Sequence, residues 1–401
     1  MSDQPALRIA VIGGGGHVGL PLSLLLAKNG FTVHVIDIDD AKMELLKRGQ
    51  FPFLEEGGAA ALRECMDLAL TFSTDFAAVA LCDVIIMTVG TPVDEHLNPD
   101  LAPVYTAIKQ IRPYLRDQQT IILRSTLYPG TSQRLHEWIQ GIGLNIGICF
   151  CPERIAQGMA LRELHDLPQI ISGSDSQAVL IARRVFSAIA KDIVELGMTE
   201  AELAKLYTNC WRYIRFAVAN QFYMIATEKG LDFDRIRSAM MYNYPRAADF
   251  PAAGFAAGPC LFKDTMQLAA YNRQNFAIGH AAMLINETMP NFLVDQIKKR
   301  RSLSNQTVGI IGMAFKPNND DKRESLAYKL RKLLVQENAT VMCTDPFIKD
   351  DSFYPVEEVM RQCEILFVGC PHALYKELDY SGKDVLDCWG VVENRALGAS
   401  F

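Results

Sequence analysis

With 401 residues, 49% of them hydrophobic and 21% charged, the chain is too long for one ordinary core and predicts a soluble globular protein of two or three domains. A net charge of −6 argues against a nucleic-acid partner, because phosphate binding wants a basic face. No apolar run approaches the roughly 18 residues that a membrane helix requires, so no membrane partner is expected.

The N-terminus runs straight toward a strand without a charged head and apolar h-region, so no signal peptide is read there. Ten cysteines are scattered through apolar, strand-like runs, which suits reduced thiols and a cytoplasmic protein. Cys149 and Cys151 alternate along one strand; this is weak support for a metal, and none is expected.

Arg8–Ile12 reads as a strand, Gly13–Gly19 as a turn, Leu20–Asn29 as a helix closed by Gly30, and Phe31–Ile36 as a second strand ending at Asp37. Gly14, Gly16 and Gly19 stand at G-x-G-x-x-G spacing, with Asp37 roughly 20 residues on. Such glycines admit a pyrophosphate to a helix N-terminus. Asp37 can accept from both ribose hydroxyls and would repel a 2′-phosphate, so NAD is expected rather than NADP.

Strands continue at Ala69–Thr71, Val84–Val89, Thr120–Arg124 and Ile146–Phe150, as in a doubly wound parallel sheet. Polar loops follow them at Gly90-Thr91-Pro92, Ser125-Thr126 and Pro152-Glu153-Arg154. Ligands gather beyond the C-terminal ends of such strands, although turns and caps use the same residues.

Thr199–Lys229 reads as one long helix between domains, opened by a Thr199…Glu202 capping box. Lys205 and Asn209 lie one turn apart on it; either they are solvated, or this apolar helix gives them partners. Asp232–Arg246 reads as helical and then irregular, and Thr265–Leu293 as largely helical. Between them lies Gly254-Phe-Ala-Ala-Gly-Pro-Cys-Leu-Phe-Lys-Asp264. Alone, Cys260 reads most simply as a buried loop cysteine. With Lys263 and Asp264 just downstream it is also a candidate nucleophile, since a thiolate beside a cation forms more readily.

From Val308 the pattern restarts: strand (Val308–Gly312), a long loop, helix (Leu326–Gln336), strand (Thr340–Thr344) and an acid, Asp345. Later strands are read at Ile365–Gly369 and Val385–Leu386. The glycine fingerprint is missing, so this second Rossmann-like unit is expected to take something other than a standard dinucleotide. The fold class is therefore α/β, with two Rossmann-like doubly wound domains joined by a long helical central domain. The boundaries expected are 1–195, 196–300 and 301–401.

These motifs, in this order and over nearly the whole length, resemble the nucleotide-sugar 6-dehydrogenase family of UDP-glucose, UDP-N-acetylmannosamine and GDP-mannose dehydrogenases. The stretches that carry the resemblance are the N-terminal motif, Thr91-Pro92, Ser125-Thr126, Pro152-Glu153-Arg154, Glu202 through Asn209, Gly258 through Asp264, Phe315-Lys316 with Asp321, Arg323 and Ser325, Asp345-Pro346, and His372.

The resemblance implies a four-electron oxidation of a sugar CH₂OH to the uronate, in polysaccharide biosynthesis, with NAD and a nucleotide-sugar substrate. It implies Cys260 as covalent nucleophile, Lys205 with Asn209 at the oxyanions, and Asp264 on water with Thr126 and Glu153 assisting. Thr91, Thr126, Lys263 and Arg323 would serve the cofactor. Glu153, Lys205, Asn209, Gly258 and Lys316 would serve the substrate, and Arg246 would enter the neighbouring subunit's site in a homodimer built on the long helix.

Ala257 stands where many members have glycine, and Gln157 where glucose-type members often have glutamate. The extra Cβ narrows the room for a sugar or pushes its loop outward, and the neutral Gln157 leans the expectation away from glucose toward a UDP-N-acetylhexosamine or another UDP-sugar. Two other readings cover part of the chain. One is a two-electron β-hydroxyacid-type dehydrogenase, which would leave Cys260 idle; the other is a non-catalytic nucleotide-binding homologue.

Overall fold

The computed structural model describes residues 7–92, 94 and 100–392; the N-terminal reading over residues 1–6 lies outside them. The chain divides into two compact units, Met1–Thr208 and Asn209–Phe401.

The first unit is built on β1 (Arg8–Ile12), β2 (Thr32–Ile36), β3 (Leu70–Ser73), β4 (Val84–Met87), β5 (Thr120–Leu123) and β6 (Gly147–Phe150). They form one parallel sheet in the order β3-β2-β1-β4-β5-β6, the doubly wound Rossmann order. Helices α1 (Gly19–Lys28), α2 (Asp40–Lys47), α3 (Gly58–Cys65), α4 (Ala102–Ile111), α5 (Thr131–Gly141), α6 (Ala160–Asp166) and α7 (Ser176–Phe186) connect and cover it. A small parallel pair, β7 (Gln169–Ile171) and β8 (Ile193–Glu195), closes the unit.

Side chains alternate across a strand, and β1 shows the consequence. Ile9 and Val11 enter one core with α1 and α7 residues, while Ala10 and Ile12 enter the other with α4 and α5 residues. Because both faces are covered, β4 and β5 are buried at every position, which is why they read as continuous apolar runs. β4 is shorter than the sequence suggests. Thr88 turns its hydroxyl onto the Ile12 and Gly13 carbonyls at 2.9 and 3.0 Å, and the chain leaves the ladder there.

The long helix, α8, runs Met198–Glu228, within a residue of expectation at each end. Its predicted capping box is a misreading. Gly197 N–H is taken by Glu200 at 2.7 Å, whereas the Glu202 carboxylate accepts from Gly130 N, Ser132 N and Ser132 Oγ at 2.6–2.9 Å. Helix α5 has Gly130 at its N-cap, with no side chain to cap it, so Glu202 satisfies orphan donors of another helix instead of its own.

The second unit holds α9 (Phe233–Met241), α10 (Leu261–Tyr271), α11 (Ala277–Glu287) and α12 (Met289–Lys298). The last three replace the single helical stretch expected; a break at Arg273 and Gln274, both at positive φ, separates α10 from α11. Next comes a four-stranded parallel sheet ordered β10-β9-β11-β12, with β9 Thr307–Ile311, β10 Thr340–Thr344, β11 Ile365–Val368 and β12 Asp384–Leu386. Its crossover helices are α13 (Leu326–Gln336) and α14 (Val356–Gln362).

Candidate functional site

The glycine turn after β1 is shaped by close approach. A Cβ on Gly14 would meet Val35 Cγ1 at 2.6 Å and the Val11 carbonyl at 2.7 Å; one on Gly19 would meet the Gly13 carbonyl at 2.6 Å. Gly16 has only one contact, at 3.4 Å, so its bare face is the open one. Helix α1 starts at Gly19 behind Val18, which offers no capping side chain, and no acid stands in its first turn. Pro21 has no N–H and Leu20 N–H already donates to the Gly16 carbonyl at 3.0 Å, so the N–H groups of Val18 and Gly19 are the ones at the turn that an anion could take. Asp37, half-buried at the end of β2, accepts from Gly15 N at 3.0 Å and Asp39 N at 3.2 Å, fixing the carboxylate beside the turn. Ile38 follows it 78% exposed, an apolar surface of the kind an adenine ring covers. Bare glycines, an uncapped helix and a fixed acid fit NAD.

Among the other loops of this unit, Thr91 Oγ1 donates to the Thr126 carbonyl at 2.7 Å, tying the loop after β4 to the loop after β5. Arg124, fully buried, ion-pairs with the Glu153 carboxylate and donates to the Cys151 carbonyl and Gln169 Oε1 at 3.2 and 3.0 Å. The other Glu153 oxygen takes the N–H groups of Arg154 and Ile155. Glu153 is therefore occupied as a carboxylate, and it is its backbone carbonyl that receives Lys205 Nζ, at 2.5 Å. The buried lysine has the partner that its apolar helix demands.

In the second unit, Cys260 is exposed and stands at the N-cap of α10, whose first backbone bond runs from Asp264 N to its carbonyl at 2.9 Å. One turn on, Asp264 is fully buried. Its oxygens are held by Asn209 Nδ2 at 2.5 Å and by Lys263 Nζ at 2.8 Å. Lys263 was expected as the cation beside the thiol; its ion pair is with Asp264. Behind them, Cys210 Sγ donates to the Asp264 carbonyl at 3.7 Å, and burial pushes that thiol up to about 12.

The segment before Cys260 rests on two aromatic rings. Gly254 (φ +154) and Gly258 (φ +98) have backbone conformations that suit glycine, and a Cβ would strike Trp389 at 2.3 Å and Phe315 at 2.5 Å respectively. Gly258 N–H also donates to the Glu324 carbonyl at 3.1 Å. Ala257 is half-buried and borders a cleft of about 410 Å³ with Gly258, Phe262, Ser325 and Tyr328.

Lys316 lies half-buried in the loop after β9. In the same loop Arg323 grips the Asp321 carboxylate, Nη2 to Oδ2 at 2.6 Å and Nε to both oxygens at 3.0 Å. Arg246 is exposed on a single turn, its guanidinium 5.1 Å over the Tyr244 ring.

Asp345, at the end of β10, occupies the position that Asp37 has at the end of β2. Its side chain, however, is fully buried and saturated. Met313 N, Ala314 N and His372 Nε2 reach one oxygen at 2.7–3.0 Å, and Phe347 N and Ile348 N reach the other at 2.9 and 3.1 Å. Both oxygens are thus already engaged by donors of their own unit, whereas Asp37 is only half-buried.

Sequence reasoning missed Arg124, Gln169, Ile38, Asn220, Asn286 and Trp389. An arginine closing an apolar strand was a visible signal for the first, Ile38 is marked only by its exposure beside Asp37, and the rest act through contacts distant in sequence.

Models of the UDP-glucose/GDP-mannose dehydrogenase family match the chain three times: the NAD binding domain over 7–190, the central domain over 199–288 and the UDP binding domain over 309–394. The UDP-N-acetyl-D-mannosamine dehydrogenase of Methanocaldococcus jannaschii is 29% identical over 401 residues, covering 97% of this chain and 91% of that protein. A UDP-glucose dehydrogenase structure from Pyrobaculum islandicum aligns with TM-score 0.91 at 26% identity, covering 98% of this chain and 96% of that one. A UDP-D-ManNAc dehydrogenase from Pyrococcus horikoshii has the same TM-score at 25% identity, over 98% and 97%. With all three segments matched in order, the chain belongs to the UDP-glucose/GDP-mannose dehydrogenase family and is an NAD-dependent oxidoreductase of nucleotide sugars.

Proposed function

We propose that the chain oxidises the C6 hydroxymethyl group of a UDP-N-acetylhexosamine, with UDP-N-acetyl-D-mannosamine the first candidate, to the uronate through a covalent intermediate on Cys260. The observation that carries this reading is an exposed thiol at a helix N-terminus, one turn before a buried carboxylate held by Asn209 and Lys263. The choice of sugar is supported by relatives such as the M. jannaschii protein and by Gln157.

Bound NAD supplies the hydride acceptor for both oxidations; Gly14, Gly16, Gly19 and Asp37 would hold it, with Thr91, Thr126, Lys263 and Arg323 contributing. After the alcohol has become an aldehyde, Cys260 sulfur adds to C6 and gives a thiohemiacetal oxyanion. First-turn N–H groups of α10 favour that charge, and the family resemblance would give Lys205, whose ammonium the Glu153 carbonyl fixes, the same role. Loss of the second hydride leaves a thioester. Asp264, oriented by Asn209, holds the water that cleaves it and frees the thiol. In sum, RCH₂OH and H₂O give RCOO⁻, two hydrides and three protons. Lys316 and Gly258 would bind the nucleotide sugar, and Glu153 would act by positioning Lys205.

The same reading gives an NAD segment (1–195), a central helical segment (196–300) and a C-terminal nucleotide-sugar segment (301–401). The product would be a uronate donor for polysaccharide synthesis. Ten unpaired thiols support a reducing, cytoplasmic setting. A homodimer on α8 is supported by Trp211, Val218, Phe222 and Ile225, which are exposed and fall within about 60° of one helix face; Arg246 would then serve the neighbouring site. Trp211→Glu is expected to convert a dimer into monomer in sedimentation velocity at micromolar concentration. A native protein already monomeric there would end the proposal.

The experiment for the reaction is a count of NADH per sugar over a panel of UDP- and GDP-sugars. Two NADH and a uronate are expected with UDP-N-acetyl-D-mannosamine. One NADH and an aldehyde or ketone would return the two-electron reading, and no NADH with any sugar the non-catalytic one.

A further inference from the structure

We propose that Asn220, braced by Asn286, is a positioning residue for the nucleophile and serves the second oxidation more than the first. The inference rests on the covalent role of Cys260 proposed above.

Asn220 lies in the second half of α8 and is fully buried. Its carboxamide pairs with both backbone groups of one residue: Nδ2 donates to the Gly254 carbonyl at 3.0 Å, and Oδ1 accepts from Gly254 N at 2.9 Å. A single hydrogen bond would leave a hinge, whereas a two-point pairing fixes both place and orientation. The remaining Nδ2 hydrogen goes to Asn286 Oδ1 at 2.9 Å, and Asn286 Nδ2 donates to the Tyr213 carbonyl at 3.0 Å. Flipping Asn220 would set its oxygen against two acceptors, so the network admits one arrangement.

Opposite this clamp the Trp389 ring occupies the space where a Gly254 Cβ would stand. Four residues on, Gly258 is held by the Glu324 carbonyl and Phe315. The path from Gly254 to Cys260 is thus tied near each end, and the tie at its start is a side chain with no need to be polar for helix packing. Two buried asparagines in an apolar spine are costly unless fully satisfied, and here both carboxamides are bonded.

The two oxidations depend on this segment unequally. The first breaks a C–H bond at C6 without a bond to sulfur; the second cannot begin until sulfur has added to the aldehyde. A displaced Cys260 therefore lets aldehyde escape before capture. A purely structural role would slow both steps together.

The test uses the full chain with NAD and UDP-N-acetyl-D-mannosamine, semicarbazide trapping released aldehyde. In Asn220→Ala the ratio of trapped aldehyde to uronate is expected to rise at least tenfold over native. Asn286→Ala keeps the Gly254 pairing but removes its brace, so a smaller rise of the same sign is expected; it decides the matter alone should Asn220→Ala not fold. Alcohol consumption and uronate formation falling in parallel in the folded variants, without trapped aldehyde, would overturn the proposal. Failure of the underlying reading looks different, because the native protein would then itself give one NADH per sugar, or none.

Discussion

Replacing Cys260 by alanine is expected to lower uronate formation by roughly 10⁴-fold or more while leaving NAD binding unchanged. Removal of a covalent nucleophile ordinarily costs that much, about 5 kcal/mol or more of transition-state stabilisation. The fold should survive: Cys260 is exposed, its side chain caps nothing, and its helical contribution is the backbone carbonyl that accepts from Asp264 N. A residual first oxidation is expected, seen as aldehyde trapped by semicarbazide with one NADH per sugar. Iodoacetamide should reproduce the loss in the native protein with one label per chain. The other nine cysteines are buried, and burial lifts Cys210 and Cys151 to about 12 and Cys343 and Cys363 to about 11. Full uronate production by Cys260→Ala, or labelling that leaves activity intact, would remove the covalent mechanism.

What could be read from the sequence was whatever is decided locally. Gly14 and Gly19 are dictated by atoms of their own βαβ unit, so their spacing announces the turn. The length of α8 and the restart at β9 were legible for the same reason, since both follow from apolar periodicity. Cys260 and Asp264 share one helix turn, so their association needed no tertiary knowledge. Partners fixed by the fold were not legible. Glu202 has the spacing of a capping residue, yet the uncapped start of α5 claims it from 70 residues away. Lys263 seemed to belong to the thiol, and Glu153 to the water; in the fold their charges are matched by Asp264 and Arg124. Asn220 lies 34 residues from Gly254 and gave no signal, because an asparagine in a helix is unremarkable until its partner is known. Asp345 echoed Asp37 in the pattern, but only packing reveals that one acid is open and the other closed.

That closure predicts a large stability effect: Asp345→Ala should destabilise the second unit by about 3–5 kcal/mol. Four backbone N–H groups and His372 Nε2 would lose their acceptor at once in a buried site. His372 Nδ1 already accepts from Asn318 N at 2.9 Å, so the proton on Nε2 cannot be moved to relieve the loss. Asp345→Asn should be nearly as damaging, because an amide NH₂ would face backbone donors whichever way it turned. Burial alone would raise this carboxyl. The hydrogen bond from His372, with the N–H groups of Phe347 and Met313, outweighs it and holds the group below its ordinary value. A lowered carboxyl adds stability that is present above about pH 4 and is lost as pH falls through its folded value. Native protein should therefore lose second-unit stability on the acid side of pH 4, whereas Asp345→Ala should start lower and lack that component. Urea melts of both proteins across pH 3–7 measure the difference. Parallel pH profiles, or a midpoint for Asp345→Ala equal to native at neutral pH, would show that the Asp345 cluster does not hold the unit together.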